Sequence, residues 1–371
     1  MTMPVAQKHI LGRPMVATLS TDNLAHNLQV IQSWAPQSKI IAMVKSNGYG
    51  HGIRSVAKRL ESLVAWLGVA SINEALALRD SQIRCPILLM EGVFSPEEYR
   101  YAAAYEFGVV IHEQQQLEWL EQVQCAPIPV WLKIDTGMGR LGFQAQDVPN
   151  IRTKLLASGK VKGALGVMSH FACAADKNHV LNAKQISRFS SLRSDFSGPA
   201  SMCNSAGILH FPDVQYEYVR PGLALYGVSP VEQKTAFDYA LKPVMTLRSG
   251  IIAIRDCKKG DTIGYGADYV CPRPMRIAVV ACGYGDGYPQ TAPQNTPILI
   301  DGICCPLIGR VSMDMLTVDV SQCPSASFSS PVTLWGDGLP LESIAQVTKR
   351  SPYELLTAVQ HRVQFTWEGV S

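Results

Sequence analysis

Short apolar runs alternate with amphipathic helical stretches from residue 40 to about residue 227, and this alternation limits the possible folds more than any other feature. Strands that alternate with helices pair in parallel, because each helix returns the chain to the same end of the sheet. The predicted strands are Ile40–Lys45, Trp66–Ala70, Pro86–Met90, Phe107–Ile111, Val130–Asp135, Ala164–His170, Ala200–Ser205 and Glu217–Tyr226. Eight strand-helix units in succession predict an α/β fold, the TIM (β/α)8 barrel.

The pattern changes after about residue 240, where short strand-like runs alternate with turns rich in Gly, Pro and Asp. These runs are Gly250–Ile254, Arg276–Ala281, Pro297–Ile300, Met315–Val320 and Pro331–Trp335. The sequence therefore predicts two domains, a barrel over residues 1–240 and a mainly β domain over residues 241–371. Pro352–Val363 is predicted as a late helix. Arg13–Leu19 is predicted as an additional strand, and the sequence leaves open which domain contains it.

Composition and charge exclude several classes of protein. The 371 residues carry a net charge of only +3, with no run of five or six basic residues, so we expect neither nucleic acid nor a membrane surface as partner. The first twenty residues lack the apolar core of a secretory signal, and no apolar run reaches eighteen residues, so a cytoplasmic location is expected. The ten cysteines form no C-x-x-C pair, which favours free thiols and predicts no metal site.

Polar residues interrupt the predicted strands at their carboxyl ends. They are Lys45, Lys133 with Asp135, His170, Asn204 with Ser205, and Arg220. A TIM barrel places its active site at this end of the strands. Each residue alone is compatible with a structural role, but their convergence on one mouth favours a site. Lys45 also opens the Gly-rich stretch SNGYGHG, where the missing side chains let the backbone approach a ligand closely.

Eight segments, in the same order along the chain, resemble motifs of the alanine racemase family. They are VKSNGYGHG, LKIDTGMGRLGF, SHFA, CNSA, VRPGLALYG, IGYGADY, CGYGDGYP and GRVSMDM. The resemblance covers roughly residues 40–315 and implies an isomerase that uses pyridoxal 5'-phosphate to interconvert L-alanine and D-alanine. It also implies a homodimer, and a bacterial cytoplasmic enzyme that supplies D-alanine for the peptidoglycan of the cell wall.

The resemblance assigns the cofactor contacts. Lys45 would form the Schiff base with the cofactor, a task that requires a primary amine. Arg220 would face the pyridine nitrogen, where many other pyridoxal enzymes use a carboxylate. The cofactor phosphate would lie after the seventh and eighth strands, where barrels commonly bind phosphate. Its binding residues, together with the neighbouring Asn204, would be Tyr49, Ser205 and the backbone N–H groups of Gly222 and Leu223.

Racemisation requires two acid/base groups on opposite faces of Cα. The resemblance assigns Lys45 to one face and Tyr265 to the other. A free tyrosine titrates near 10, and the resemblance places His170 and Arg220 beside Tyr265 as hydrogen-bonded neighbours that would tune it. In the family, Tyr265 and the backbone of Met313 reach into the barrel of the partner subunit. Asp314 and Tyr284 would line the same shared entrance.

Lys133 resembles a family lysine that is often carbamylated, a change that turns a cation into an anion able to position Arg140 against the cofactor and substrate. An unmodified Lys133 paired with Asp135 is the alternative. Two positions depart from the pattern and bear on substrate selectivity. Gln290 stands where many members have arginine, and His361 stands where some have a tyrosine.

Three other functions remain open at the level of sequence. A racemase of broader specificity would use the same residues, but secreted examples would carry a signal sequence. A related pyridoxal-phosphate decarboxylase would place a carboxylate opposite the pyridine nitrogen, where this chain has Arg220. A pyridoxal-phosphate carrier protein would consist of a lone barrel, without the β domain that carries Tyr265.

Overall fold

A computed structural model describes residues 12–369 of the chain, which form two compact units. One unit is Leu24–Lys242. The other combines the described residues up to Asn23 with those from Pro243 onward. The helix Thr21–Trp34 carries the chain from one unit to the other. Among the described residues, no helix combines the length and the apolar character needed to cross a membrane.

The unit Leu24–Lys242 is a closed barrel of eight parallel strands. Its strands are Lys39–Met43, Trp66–Val69, Ile87–Leu89, Gly108–Ile111, Val130–Lys133, Gly166–Met168, Ala200–Asn204 and Tyr218–Arg220. Each strand pairs with the next, and the eighth returns to the first through the pairs Lys39 with Tyr218 and Ile40 with Val219. The predicted TIM barrel is confirmed, and all eight predicted strands are present with shorter bounds.

Helices follow the strands around the barrel. They are Ile53–Leu60, Ile72–Asp80, Glu98–Ala104, Gln114–Gln122, Val148–Ala157, Val180–Arg193 and Ser205–His210, and the helix Thr21–Trp34 precedes the first barrel strand. In Ile53–Leu60 the buried residues Ile53, Val56, Ala57 and Leu60 recur at the spacing of one helical face, so that face packs inward while the charged residues face outward. Short 3-10 helices span Pro212–Val214, Leu223–Tyr226 and Ala236–Tyr239.

Small residues make room for large ones between neighbouring barrel strands. Gly166 lies directly beside Trp131 in the strand register, and a Cβ at Gly166 would come within 2.5 Å of the Trp131 indole. The indole itself meets the ring of Tyr218 edge to face, with 5.4 Å between the ring centroids. Gly108 also makes room for a large ring, that of Trp66 on the next strand but one, which a Cβ at Gly108 would approach to 2.9 Å. These pairings fill the interior without overlap.

The second unit is mainly β. Its strands are Val16–Ser20, Met245–Cys257, Thr262–Ile263, Tyr269–Val270, Met275–Val280, Pro297–Ile300, Ile303–Ile308, Leu316–Asp319, Pro331–Trp335 and Gln364–Glu368. The long strand Met245–Cys257 pairs with both Pro331–Trp335 and Met275–Val280, so six of the strands form a closed ring of pairings. Helices span Leu341–Thr348 and Pro352–Thr357, and 3-10 turns span Tyr265–Ala267 and Tyr284–Asp286.

The structure shows where the N-terminal strand belongs. Val16–Ser20 pairs antiparallel with Met245–Cys257 and parallel with Gln364–Glu368, so it is part of the β unit. The structural boundary between the units falls at Lys242 and Pro243.

Some elements differ from the sequence-based prediction. The eighth barrel strand ends at Arg220 instead of Tyr226, because Pro221 lacks an N–H group and a 3-10 helix begins at Leu223. The late helix ends at Thr357 instead of Val363. The strand Ile303–Ile308 was not predicted, since Pro306 argues against a strand, but this proline lies at the sheet position opposite another proline, Pro297. The helix Leu341–Thr348 and the strand Gln364–Glu368 were also not predicted.

The pairing of Gly166 with Trp131 predicts a stability effect. We expect Gly166→Ala to lower the free energy of unfolding by about 1–3 kcal/mol, because the added methyl group overlaps the indole. Urea-induced unfolding followed by far-UV circular dichroism measures the change. In a Trp131→Leu background the same substitution should cost much less, since the overlapping ring is gone. An equal penalty in both backgrounds would contradict this explanation.

Candidate active site

The predicted polar residues lie at the carboxyl end of the barrel. Lys133, Asn204 and Arg220 are the last residues of their strands. Lys45 and His170 each lie two residues beyond the end of a strand. Because the strands of a closed parallel barrel end on one side, these residues share one mouth.

The mouth concentrates positive charge. Burial, and then the nearby charges of Arg220, Arg140 and Lys45, lower the pKa of Lys133 to about 8. Glu91 acts in the opposite direction and is the smallest of these influences. These four cationic side chains repel one another, and a bound anion would relieve this repulsion. The mouth is therefore suited to an anionic ligand.

Arg220 is held deep inside this mouth, with only 3% of its surface exposed. Its Nη1 donates to Ser201 Oγ at 2.5 Å, and its Nη2 donates to the carbonyl oxygens of Ser169 at 2.5 Å and Met202 at 3.2 Å. Burial lowers the pKa of Arg220 to about 10, which still leaves the side chain charged at neutral pH. Sequence analysis gave no role to Ser169, the first residue of the SHFA segment, or to Ser201, which lies two residues before CNSA.

The contact with Arg220 sets the protonation of His170. Nη2 of Arg220 lies 3.2 Å from His170 Nδ1, and a guanidinium can only donate, so Nδ1 accepts this bond. Burial, followed by the charge of Arg220, holds the pKa of His170 well below its ordinary value. The neutral ring therefore carries its proton on Nε2, which makes His170 a hydrogen-bond donor at that atom. The amide nitrogen of Asn204 is 3.4 Å from Nε2 and cannot accept this proton.

The residues after Lys45 form a left-handed turn. Ser46, Asn47, Gly48 and Tyr49 have φ angles of 53°, 55°, 63° and 51°, in the region that favours glycine. A left-handed helical conformation costs roughly 1–2 kcal/mol for each non-glycine residue. Backbone strain of this kind persists only where the surroundings fix it, and it is frequent at ligand sites.

Side chains from outside the turn hold it in place. Glu74 accepts hydrogen bonds from the backbone N–H of Ser46 at 2.7 Å and from that of Ala70 at 2.8 Å. Within the turn, the side-chain oxygen of Asn47 accepts the N–H of Ile53 at 2.9 Å. Sequence analysis missed the role of Glu74, whose position three residues after Ser71 is also typical of a helix start.

Tyr49, Ser205 and Gly222 form a cradle suited to a small anion. Ser205 Oγ accepts the N–H groups of Gly222 at 3.0 Å and of Ala224 at 3.3 Å, which leaves its own hydrogen to donate. A Cβ at Gly222 would overlap the Tyr49 hydroxyl, so only glycine allows this approach. Leu223 follows at the start of a 3-10 helix. Hydroxyl donors beside several cations fit a phosphate group, and the nearby Lys45 amine fits an aldehyde, so these residues fit pyridoxal phosphate.

Asp135 is occupied by the loop that follows it. Its Oδ1 accepts the backbone N–H groups of Gly137 and Met138, both at 2.9 Å. Within residues 12–369 no ion pair joins this carboxylate to Lys133, so the pairing considered from the sequence is not present. Arg140 lies on the same loop, is exposed, and is close enough to lower the pKa of Lys133.

The β unit presents Tyr265 to solvent. Tyr265 is 71% exposed and lies at the tip of the hairpin formed by Thr262–Ile263 and Tyr269–Val270. The flanking residues Gly264 and Gly266 have φ angles of 75° and 74°, which a side chain rarely tolerates. The sequence IGYGADY therefore builds a tight turn that points its tyrosine outward.

Tyr284, Met313 and Asp314 lie together on the same unit. The N–H of Tyr284 donates to Ser312 O at 3.0 Å, and the next N–H donates to Met313 O at 2.8 Å. Asp314 accepts a hydrogen bond from Arg362 at 2.7 Å. Tyr284 and Met313 are 37% and 53% exposed, so both present large side chains to solvent in this unit.

The two positions that depart from the family pattern are both exposed. Gln290 lines a pocket of about 210 Å³ together with Tyr284, Tyr288 and Arg350. His361 lies in the turn after the last helix.

Comparisons with known proteins agree with this geometry. The family model for the N-terminal domain of alanine racemase matches residues 19–230, and the model for the C-terminal domain matches residues 244–367. The alanine racemase of Coxiella burnetii (strain CbuG_Q212) is 44% identical over 355 residues, which cover 94% of this chain and 97% of that protein. The alanine racemase of Aeromonas hydrophila is 45% identical over 349 residues, with coverage of 94% and 98%.

Solved structures show the same architecture. The biosynthetic alanine racemase from Pseudomonas aeruginosa superimposes with a TM-score of 0.93 at 40% identity, covering 96% of this chain and 100% of that one. The alanine racemase from Bartonella henselae, solved with covalently bound pyridoxal phosphate, gives a TM-score of 0.87 at 26% identity, with coverage of 96% and 100%.

Three features define a class of two-unit enzymes that use pyridoxal phosphate. They are a lysine at the mouth of a parallel barrel, a neighbouring cradle that fits a phosphate, and a second, mainly β unit. Both family models match, and together they leave little of the chain uncovered. The chain belongs to the alanine racemase family.

Proposed function

We propose that this protein interconverts L-alanine and D-alanine with pyridoxal 5'-phosphate as cofactor. The observation that carries the proposal is the cationic mouth, where a lysine amine, a buried arginine and a hydroxyl cradle converge. Membership in the alanine racemase family and relatives of that name at 44–45% identity support it. A broader racemase, a decarboxylase and a carrier protein are not favoured by any feature of the site.

The described residues account for how the cofactor would be held. Lys45 would bind it covalently, while Tyr49, Ser205 and the backbone at Gly222 and Leu223 would bind its phosphate. Arg220 would face its pyridine nitrogen, held in place by its four hydrogen bonds. When bound, pyridoxal phosphate makes the Cα–H bond of an amino acid acidic by withdrawing electrons into its ring.

Two side chains would then move the proton. Lys45 would take or return it on one face of Cα, and the phenol of Tyr265 would do so on the other. The Nε2 proton of His170 would be available to the phenolic oxygen, and a hydrogen bond there would stabilise the charged form of the phenol. Arg140 and the Met313 backbone would position the substrate, with Asp314 and Tyr284 at the entrance.

The first experiment is chiral chromatography of L-alanine after incubation with the purified protein and pyridoxal phosphate. We expect a racemic mixture, and no conversion with Lys45→Ala, because that variant lacks both the attachment point and one acid/base group.

We also propose that the product serves peptidoglycan synthesis in the bacterial cytoplasm. The wild-type gene should then replace added D-alanine for a bacterium that lacks alanine racemase, and the Lys45→Ala gene should not.

Folded, cofactor-loaded protein that leaves L-alanine unchanged would refute the proposed reaction. Conversion by Lys45→Ala at the wild-type rate would instead remove Lys45 from the mechanism.

We further propose a homodimer with shared active sites. Tyr265, Tyr284, Met313 and Met315 are all exposed on the β unit, between 37% and 71%, and this apolar surface supports a partner that covers it. The barrel of a second copy is that partner in this proposal. Tyr265 and Met313 of one subunit would complete the mouth that carries Lys45 of the other.

Mixed dimers test the shared site. Co-expressed Lys45→Ala and Tyr265→Phe subunits should regain about a quarter of the wild-type activity, because half of the dimers are mixed and each contains one intact site. Differently tagged subunits allow the mixed dimer to be purified and assayed alone. Activity no higher than that of the two single variants would contradict sharing.

Lys133 is a candidate for carbamylation. A carbamate forms when a neutral amine nitrogen bonds to the carbon of carbon dioxide and releases a proton, and a pKa of about 8 leaves much of Lys133 neutral near pH 8. The modification replaces one of four crowded cations with an anion, which the charges of Arg140 and Arg220 would stabilise. The carboxylate of Asp135 does not compete, since it binds loop N–H groups.

Carbon NMR with 13C-labelled bicarbonate tests this modification. At pH 8 we expect a carbamate resonance in the wild-type protein that is missing in Lys133→Met. Lys160→Met serves as the control and should keep the resonance. The amine of Lys160 donates to Val123 O and Cys125 O, which precede the strand that ends at Lys133. Identical spectra for the wild type and Lys133→Met would refute the carbamate.

A further inference from the structure

His51 is a buried histidine to which the mechanism gives no task. It lies between Gly50 and Gly52, directly after the left-handed turn, and only 1% of its surface is exposed. Burial lowers its pKa to about 4, so the ring is neutral at physiological pH. A neutral histidine without solvent contact is unsuited to carry protons to the substrate, and its fixed contacts suggest a different role.

One ring nitrogen of His51 binds the backbone of Tyr49. Nδ1 is 2.8 Å from Tyr49 O, and a carbonyl can only accept, so Nδ1 carries the proton. Nε2 is then unprotonated, and it has no hydrogen-bond partner among the described residues. The bond to Tyr49 O is therefore the main polar contact of this ring, and the backbone of Gly48 contributes a weaker one.

The ring of His51 also belongs to an aromatic group. It lies 4.6 Å from the ring of Tyr226, measured between centroids, and Tyr226 stacks on Tyr49 at 4.8 Å with an angle of 20°. Tyr226 is itself fixed, because its hydroxyl donates to Met43 O in the first barrel strand at 2.9 Å. His51 thus reaches Tyr49 in two ways, through its carbonyl and through the intervening ring.

These contacts hold Tyr49 in a conformation that it would otherwise leave. With φ at 51°, Tyr49 is a bulky residue in the left-handed region. Rotation to a negative φ would redirect its Cα–Cβ bond and move its hydroxyl away from Gly222, where the two groups now touch. The hydrogen bond from His51 opposes this rotation, because it fixes the orientation of the Tyr49 carbonyl.

We propose that His51 is a positioning residue, which holds the strained Tyr49 so that its hydroxyl stays in the cradle that receives the phosphate of the cofactor. The inference rests on the proposed use of pyridoxal phosphate, since it concerns the same cradle. His51 acts through Tyr49 and does not touch the phosphate itself.

The test compares binding of pyridoxal phosphate with binding of pyridoxal, which lacks the phosphate. His51→Phe keeps the ring and removes the donor, while His51→Asn keeps a donor at the place of Nδ1 and removes the ring. We expect His51→Phe to weaken binding of pyridoxal phosphate about tenfold, as expected for one displaced hydrogen bond, and to leave pyridoxal binding unchanged. His51→Asn should retain most of the preference for the phosphorylated form.

Tyr49→Phe provides the matched control, since it removes only the hydroxyl that His51 is proposed to hold. On that background His51→Phe should add little further loss, because the phosphate contact is already absent. Circular dichroism confirms that each variant folds, and His51→Leu, also without a donor, carries the same expectation should phenylalanine not fit.

Two results would overturn the proposal. One is that His51→Phe weakens the binding of both ligands equally, or of neither. The other is that His51→Phe causes its full loss of pyridoxal phosphate binding on the Tyr49→Phe background as well. The proposed function fails separately, if the wild-type protein binds neither ligand or binds them without racemising alanine. A wild-type enzyme that racemises, paired with an unchanged preference in His51→Phe, removes only the role of His51.

Discussion

The buried guanidinium of Arg220 is the interaction on which the rest of the barrel mouth depends. A charge removed from water is costly unless all its donors are paired, and this one is paired by the ends of neighbouring strands. Ser169 O, Ser201 Oγ and Met202 O hold it on the sixth and seventh strands. In return its charge helps to lower the pKa of Lys133 and fixes which nitrogen of His170 bears a proton. One side chain therefore both binds the backbone of neighbouring strands and sets the protonation of residues in the mouth.

The strain next to Lys45 complements this rigid arginine. In the proposed function, Lys45 would have to be mobile enough to bind and release the cofactor, whereas the phosphate site would have to stay in place. The left-handed turn from Ser46 to Tyr49 separates these two demands within five residues. Glu74 fixes the start of the turn, and His51 binds the carbonyl at its end. Both contacts are made by residues outside the turn, one in the helix Ile72–Asp80 and one just after the turn.

Much of the fold follows from local patterns in the sequence. Eight strands could be recognised because each apolar run must be buried on both faces of a parallel sheet. The ends of the strands were harder to predict, because a proline such as Pro221 ends a strand only where the sheet would need its missing N–H group. The strand Ile303–Ile308 escaped prediction although both partner strands are its neighbours in sequence, because Pro306 argues against a strand.

The site was predictable to the extent that strand ends converge. Lys45, Lys133 and Arg220 could be placed at one mouth from spacing alone, because barrel closure brings them together. Ser169, Glu74 and His51 could not, since their importance lies in which backbone group each contacts. Nothing in the pattern of residues links Tyr265 to the barrel either. Its role came from resemblance to a family, and the structure adds the exposed turn that makes the role physically reasonable.

The pairing of Val16–Ser20 with two later strands of the β unit has a consequence for how the chain is made. This strand is synthesised before the barrel, but its partners Met245–Cys257 and Gln364–Glu368 are synthesised after it. It must wait unpaired while the whole barrel is translated, with both of its hydrogen-bonding edges open to other strands. Completion of the β unit therefore follows synthesis of the barrel, and the early strand stays open to other pairings until its two partner strands have been made.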